Sequence, residues 1–478
     1  MTTGGRHDGG RPGRDVRWRN PGAAAVTTAC TFALLAGCTG GGDASGPSPT
    51  APVEDAAGPA VDLPDDDAGR QAAWVLETLA GTADVPEDEI AGRFSEAFLA
   101  EVPADQLNPV FTSLRAAGPW TLASVETGPG ALLARLDGQD GSLDMELAVD
   151  PDGRIAGLLF TPAAPPRDRA TSWGDLSDEV AALPGSTSLY VARVEDGRCV
   201  PVDGMPAGNA AGESLPVGSI VKLYVLGAVV DAVEDGRLAW DTELTLTDDL
   251  RSLPSGNLQD EPAGAVITVQ AAASDMIAIS DNTATDLLVH AVGRDAVEQA
   301  LTDMGHGDPA RNVPLATTRE LFQLGWGGGE DLRGRWRDAD AAGREEILAA
   351  LPGGAVEIDE QEIGAVAAWP YGVDWFATGA DLCAAHVALA QRAATGAGEP
   401  VREILSANPG IEVDDAWEHV AFKGGSSVGT MAGAWLAEPV DGGVPVVVVM
   451  QAAATAPQEA LPAQTLVGIA EDALALTR

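Results

Sequence analysis

The stretch Leu215–Gly236, LPVGSIVKLYVLGAVVDAVEDG, constrains this chain more than any other. Ser219 and Lys222 stand three apart at the start of its long apolar run. On a helix that spacing sets a hydroxyl and an amine on neighbouring positions of one face. Alone the pair is weak, because a serine at a helix start followed by a solvated lysine reads equally well. Two later groups give it weight: Ser280-Asp281-Asn282, and then Lys423-Gly424-Gly425-Ser426.

The 478 residues suffice for two or three domains with a sizeable core in at least one. Asp and Glu total 72 against 28 Lys and Arg, a net charge of -44 that opposes nucleic-acid binding and non-specific attraction to anionic lipid. Four cysteines, Cys30, Cys38, Cys199 and Cys383, are too few for a disulfide-built scaffold, and the five histidines are dispersed, so no metal site and no cofactor is expected. A Cys199–Cys383 pair stays open, because sequence separation does not show whether two Cβ atoms meet.

The N-terminal region reads as processing sequence. Arg6, Arg11, Arg14, Arg17 and Arg19 precede the apolar segment 23–37, which ends Leu35-Ala36-Gly37-Cys38. A basic front, a short apolar middle and small residues at the end outline an export signal over 1–38. That tetrad resembles a bacterial lipobox, and the resemblance implies that Cys38 is lipidated and anchors the chain to the cell membrane from outside the cytoplasm. Residues 39–69 read as a flexible acidic tether.

Residues 70–162 read as a small α+β domain: helical segments over 71–100, then strands over 120–126, 131–136, 143–149 and 155–160 joined by Gly and Asp turns. Residues 163–170, rich in proline, read as a linker. The second domain, 171–478, is expected to be α/β: strands at 189–194 and 199–202, helices at 223–234, 269–279 and 283–292, an irregular insertion near 327–370 with a helix over 339–351, and a helix over 374–391. An antiparallel pair over 430–436 and 444–450 follows the Lys423 motif, and the helix 463–476 ends the chain.

With these motifs in order, the large domain resembles the class A β-lactamase and penicillin-recognising serine hydrolase superfamily. The resemblance rests on Ser219-Ile220-Val221-Lys222, on the run from Ser280 to Leu288, SDNTATDLL, and on Lys423-Gly424-Gly425-Ser426-Ser427-Val428-Gly429. Ser219 and Ser280 stand 61 positions apart, close to the class A separation, whereas the interval from Ser280 to Lys423 is longer and accommodates the insertion. In layout the chain is similar to proteins of the clavulanic-acid-cluster open reading frame 12 type, where an isomerase-like or cystatin-like unit precedes a β-lactamase-like domain. The stretch 94–161 carries that likeness, which is no evidence of isomerase chemistry.

The resemblance implies a serine β-lactamase-like domain, an antiparallel sheet plus a helical subdomain, preceded by the small α+β domain. It makes Ser219 the nucleophile and Lys222 either its base or the group that orients it. Ser280 would carry a proton to the leaving group, Asn282 would hold substrate or Lys222, and Asp281 would fix its loop. Lys423 would attract a substrate carboxylate, Gly424 and Gly425 would permit close passage along the strand, and Ser426 would share an oxyanion hole with the Ser219 amide.

Two departures matter. Gly424 stands where the family often has Ser or Thr, which removes one hydroxyl contact. No glutamate matches the class A deacylation base; Glu320, Glu345, Glu357 and Glu362 lie in the right interval without a matching context. The expected activity is therefore an acyl-enzyme-forming serine hydrolase acting on an ester, an amide or a β-lactam. The competing expectation is a non-hydrolytic or slowly turning over binding protein for penicillin or a cell-wall peptide.

Overall fold

The structure, a computed structural model, describes residues 61–478 apart from positions 129, 139–140, 164–166, 206, 355, 357, 359, 412 and 414. The export signal, Cys38 and most of the tether lie outside the described residues. No helix among the described residues is long and apolar enough to cross a membrane. The described chain divides between 179 and 180 into two compact units, with 461–478 grouped with the first.

Unit 180–460 is built on a five-stranded antiparallel sheet ordered Trp417–Ser427, Thr430–Pro439, Val446–Ala453, Ser186–Glu195, Arg198–Pro201. The strand VVVVMQAA at its centre is buried at all eight positions. The Lys423 motif ends the first strand, and its alternation sends Ala421, Lys423 and Gly425 to one face. On that face Ala421 joins Ala432, Ala434 and Leu436 in the core formed with the helices.

The helical part packs Lys222–Glu234 against Val269–Ala278 and Asn282–Val292. Ten of the thirteen residues of the Lys222 helix are buried, so it is apolar all round and sits inside the domain. Each of its buried Val or Leu side chains contributes about 1.5–3 kcal/mol by leaving water.

Three local readings need correction. Ser219 lies on a 3-10 turn, Gly218–Val221, and the α-helix begins only at Lys222. The helix expected from Asp374 begins at Gly379 instead, because Thr378 caps it: Asp381 N donates to Thr378 Oγ1 at 3.1 Å and Thr378 N to Asp381 Oδ2 at 2.8 Å. The residues before it, Phe376–Ala377, pair with Leu215–Pro216 just ahead of Ser219. The stretch read as irregular contains the expected helix, as Ala341–Ala349, and also two unexpected ones, Gly329–Asp338 and Glu360–Ala365; Trp336, Ile347 and Leu348 pin Gly329–Asp338 and Ala341–Ala349 to the core. Its Gly-rich, acidic sequence hides this periodicity.

Cys199 and Cys383 form a disulfide with their Cα atoms 6.3 Å apart, tying the outer strand Arg198–Pro201 to the helix Gly379–Ala393.

In the other unit a four-stranded antiparallel meander, Thr121–Gly128, Ala131–Asp137, Ser142–Val149 and Ile155–Pro162, packs with helices Asp67–Ala80, Glu87–Arg93, Glu96–Glu101 and Ala104–Ala117. Leu132, Ala134 and Leu136 alternate inward into the same core as Trp74, Phe94 and Phe111. Trp74 meets Phe94 and Phe111 edge-on, with ring centroids 6.0 and 6.1 Å away. Within this unit Asp472 of the last helix accepts from Arg167 Nη2 and from Ala170 N, both at 2.6 Å, so the end of the chain is tied to the segment after the meander.

Candidate active site

The site is assembled by three backbone devices. The first is a close approach between the Ser219 turn and the Lys423 strand. A Cβ on Gly425 would lie 1.9 Å from Val217 O and 2.9 Å from Ser219 N, and one on Gly218, whose φ is +51°, would lie 2.8 Å from Ser426 N. Only glycine fits at either position. Gly425 thus packs against the Ser219 amide and Gly218 against the Ser426 amide.

The second device is the turn before the Asn282 helix. Ser280 adopts a φ of 59°, uncommon for a residue with a side chain. This turns its carbonyl toward Lys222 Nζ at 2.5 Å and Ser255 Oγ at 2.7 Å. Asp281, fully buried, caps the helix by accepting from Ala284 N at 2.7 Å, and its other oxygen takes Asn257 N and Leu258 N at 2.7 and 2.8 Å.

The third is the pairing of Phe376–Ala377 with Leu215–Pro216, which leads Asp374 to the base of the Ser219 turn. Asp374 accepts from Gly218 N at 2.9 Å, Trp375 N at 2.8 Å and Ser427 Oγ at 2.7 Å.

On this frame Lys222, Ser280, Asn282 and Lys423 form one hydrogen-bonded group. Lys222 Nζ donates to Asn282 Oδ1 at 2.7 Å and lies 3.1 Å from Ser280 Oγ. Lys423 Nζ reaches the same hydroxyl at 3.0 Å and Gly424 O at 2.8 Å. Asn282 Nδ2 donates one of its two hydrogens to Leu253 O at 3.0 Å, while its Oδ1 faces Lys222. Ser219 is half-buried one turn before Lys222. No hydrogen bond joins its Oγ to either lysine among the described residues, the looser geometry common in nucleophile–base pairs before substrate closes the site.

Burial is the main influence on both amines. It holds Lys222 well below the ordinary lysine range, helped by the charge of Lys423 and opposed by Asp281 and Asp286. Burial alone pushes Lys423 down to about 7. A neutral Lys222 has a lone pair with which to accept a proton.

Gly424 has its own reason for lacking a side chain. A Cβ there would lie 2.9 Å from the Phe422 ring, which stacks on Trp435 with centroids 4.9 Å apart.

The glutamates of the interval divide differently. Glu320 completes a capping box with Thr317 and pairs with Arg294 at 2.7 Å. Glu345 is exposed, Glu357 lies outside the described residues, and nothing is described of the Glu362 side chain. Sequence reasoning missed Asp286, which accepts from Thr318 N, Thr318 Oγ1 and Arg319 N at 2.7, 2.8 and 2.9 Å. It also missed Asp374, 156 positions from its partner Gly218. No motif spacing signals Asp374, and Asp286 stands in the run SDNTATDLL without a role of its own.

The site thus gathers a hydroxyl on the turn before a buried helix and two buried amines around a second hydroxyl. Residues 174–334 match the model of the Beta-lactamase enzyme family, and residues 63–155 match the ORF 12 gene product N-terminal model. The chain is thus similar to the Beta-lactamase enzyme family over 174–334 and to the ORF 12 gene product N-terminal over 63–155. The β-lactamase from Sphaerobacter thermophilus DSM 20745 is similar at 22% identity and a TM-score of 0.44, over 63% of this chain and 96% of that one. PBP-A is similar at 17% identity and a TM-score of 0.42, over 65% and 97%. L2 complexed with relebactam is similar at 18% and 0.43, over 65% and 96%. The chain matches none of the curated proteins.

Proposed function

We propose that this protein is a serine hydrolase that forms an acyl-enzyme on Ser219 from an ester or amide, with β-lactams as one substrate class. The observation that carries the reading is Ser280 Oγ, held 3.1 Å from Lys222 Nζ and 3.0 Å from Lys423 Nζ beside the Ser219 turn. Ser219 Oγ attacks the acyl carbon while neutral Lys222 takes its proton. The oxygen of the tetrahedral intermediate accepts from the Ser219 and Ser426 amides. As the bond to the leaving group breaks, Ser280 passes a proton to the departing alkoxide or amine and regains one from Lys222. The ester on Ser219 remains until water cleaves it. Lys423 and Gly425 shape the substrate site, Asn282 orients Lys222, and Asp281 and Gly424 shape the surrounding backbone.

A second reading, slow turnover or stable capture of a penicillin or cell-wall peptide, is favoured by one observation. Glu320 is engaged in its capping box and ion pair, and Asp281, Asp286 and Asp374 each accept several protein donors. None of these four carboxylates is left to activate a water.

The place of action we propose is outside the cytoplasm, on a lipid anchor at Cys38. The Cys199–Cys383 disulfide supports an oxidising compartment. Hydrolysis of activated esters and β-lactams by the full chain and by Ser219→Ala tests the activity. Loss of turnover in the variant is expected; equal turnover contradicts the reading. Release from membranes in Cys38→Ala tests the anchor, and unchanged retention contradicts it.

A further inference from the structure

Asp374 is a buried carboxylate that the acylation scheme does not use. Its Oδ1 accepts from Gly218 N at 2.9 Å and from Trp375 N at 2.8 Å, and its Oδ2 accepts from Ser427 Oγ at 2.7 Å. Gly218 precedes Ser219 and Ser427 follows Ser426, so one side chain grips the neighbours of both amides assigned to the oxyanion. We propose that Asp374 is a positioning residue for acyl transfer, fixing the distance between the Ser219 and Ser426 amides through Gly218 and Ser427. The inference rests on the proposed acylation at Ser219.

Three features support it. Asp374 itself is held firmly: Val217 N donates to Trp375 O at 2.8 Å, Trp375 Nε1 to Ala316 O at 3.0 Å, and Phe376 N to Asn312 Oδ1 at 2.8 Å. The two arms it joins already touch, since a Cβ on Gly218 or Gly425 would collide across them. Burial also raises the Asp374 carboxyl to about 6, against the hydrogen bonds from Ser427, Gly218 and Trp375. A buried carboxylate held by hydrogen bonds is a costly way to gain stability. A carboxylate is nevertheless suited to this place, because it is acceptor-only and three donors converge on it.

The test uses the full chain as wild type, Asp374→Ala, Asp374→Asn and Ser427→Ala. Hydrogen exchange by mass spectrometry follows segments 215–222 and 424–430, with 446–453 as control. Pre-steady-state acylation separates substrate Kd from the acylation rate. In Asp374→Ala the expected result is faster exchange in both segments, unchanged exchange in the control, and acylation slowed about a hundredfold with Kd within about twofold. Asp374→Asn keeps one acceptor and gives a donor that Ser427 Oγ can accept, so it is expected to recover most of the rate. Ser427→Ala cuts one arm and is expected to free 424–430 more than 215–222. If Asp374→Ala does not fold, Asp374→Asn and Ser427→Ala carry the comparison. Equal protection of both segments in the variants overturns the inference, as does a loss confined to Kd. If the wild type gives no adduct on Ser219, the acylation reading fails, while the exchange comparison still decides whether Asp374 joins the two arms.

Discussion

Lys222 Nζ lies 2.5 Å from the carbonyl oxygen of Ser280, and Ser280 holds that carbonyl in place by adopting a φ of 59°. The strained residue therefore serves the lysine twice, through its backbone and through its hydroxyl 3.1 Å away. Ser280→Ala removes only the hydroxyl. Its acylation rate is expected to fall about 10²–10⁴-fold, the usual worth of a placed proton carrier, with the melting temperature nearly unchanged. Stopped-flow acylation alongside thermal melting checks this.

Lys423 titrates near 7 because it is buried. Attraction of a substrate carboxylate then weakens as pH rises through 7. KM for a carboxylate-bearing substrate is expected to rise about tenfold above that pH, the worth of one charge-assisted hydrogen bond, while its methyl ester shows no such rise. Stability runs the other way. Between 7 and 10.5 the unfolded chain holds a proton on Lys423 that the folded chain has released, so stability climbs with pH there. Lys423→Met is expected to reduce that slope by at most about 1.4 kcal/mol per pH unit, readable by urea denaturation at a series of pH values.

Much of this site is legible in the sequence. Ser219 and Lys222 stand three apart, which sets their side chains on neighbouring positions of one face, and the order of the later motifs joins Ser280 and Asn282 to them. Lys423 is legible only as the third motif in that order, through the resemblance the three motifs carry together. Asp374 and Asp286 are not, because their partners arrive through the tertiary fold. The Asp374 segment reads as helix in the sequence for a related reason: the strand pairing of Phe376 with Pro216 and the cap at Thr378 outweigh its local pattern.

Glu320 closes a capping box and pairs with Arg294. Glu320→Gln is expected to cost about 1 kcal/mol of stability and to leave acyl-enzyme decay unchanged. A decay slowed more than about tenfold would make Glu320 the deacylation base after all. The two quantities come from chemical denaturation and from the time course of adduct loss.

The Cys199–Cys383 bridge closes 184 positions of chain, so its loss in Cys199→Ala is expected to cost about 2–5 kcal/mol. The same drop is expected on reducing the wild-type protein, with no further drop on reducing the variant. Melting with and without reductant makes the comparison.

The central claim is that Ser219 carries the acyl group. Intact-protein mass measurement of the full chain after mixing with a panel of activated esters and β-lactams tests it most directly, with peptide mapping of any adduct. The account predicts a time-dependent gain equal to the acyl group less one hydrogen, mapped to Ser219, absent from Ser219→Ala and slow to disappear. An adduct on another residue, or no adduct at any time across the panel with folded protein, contradicts it.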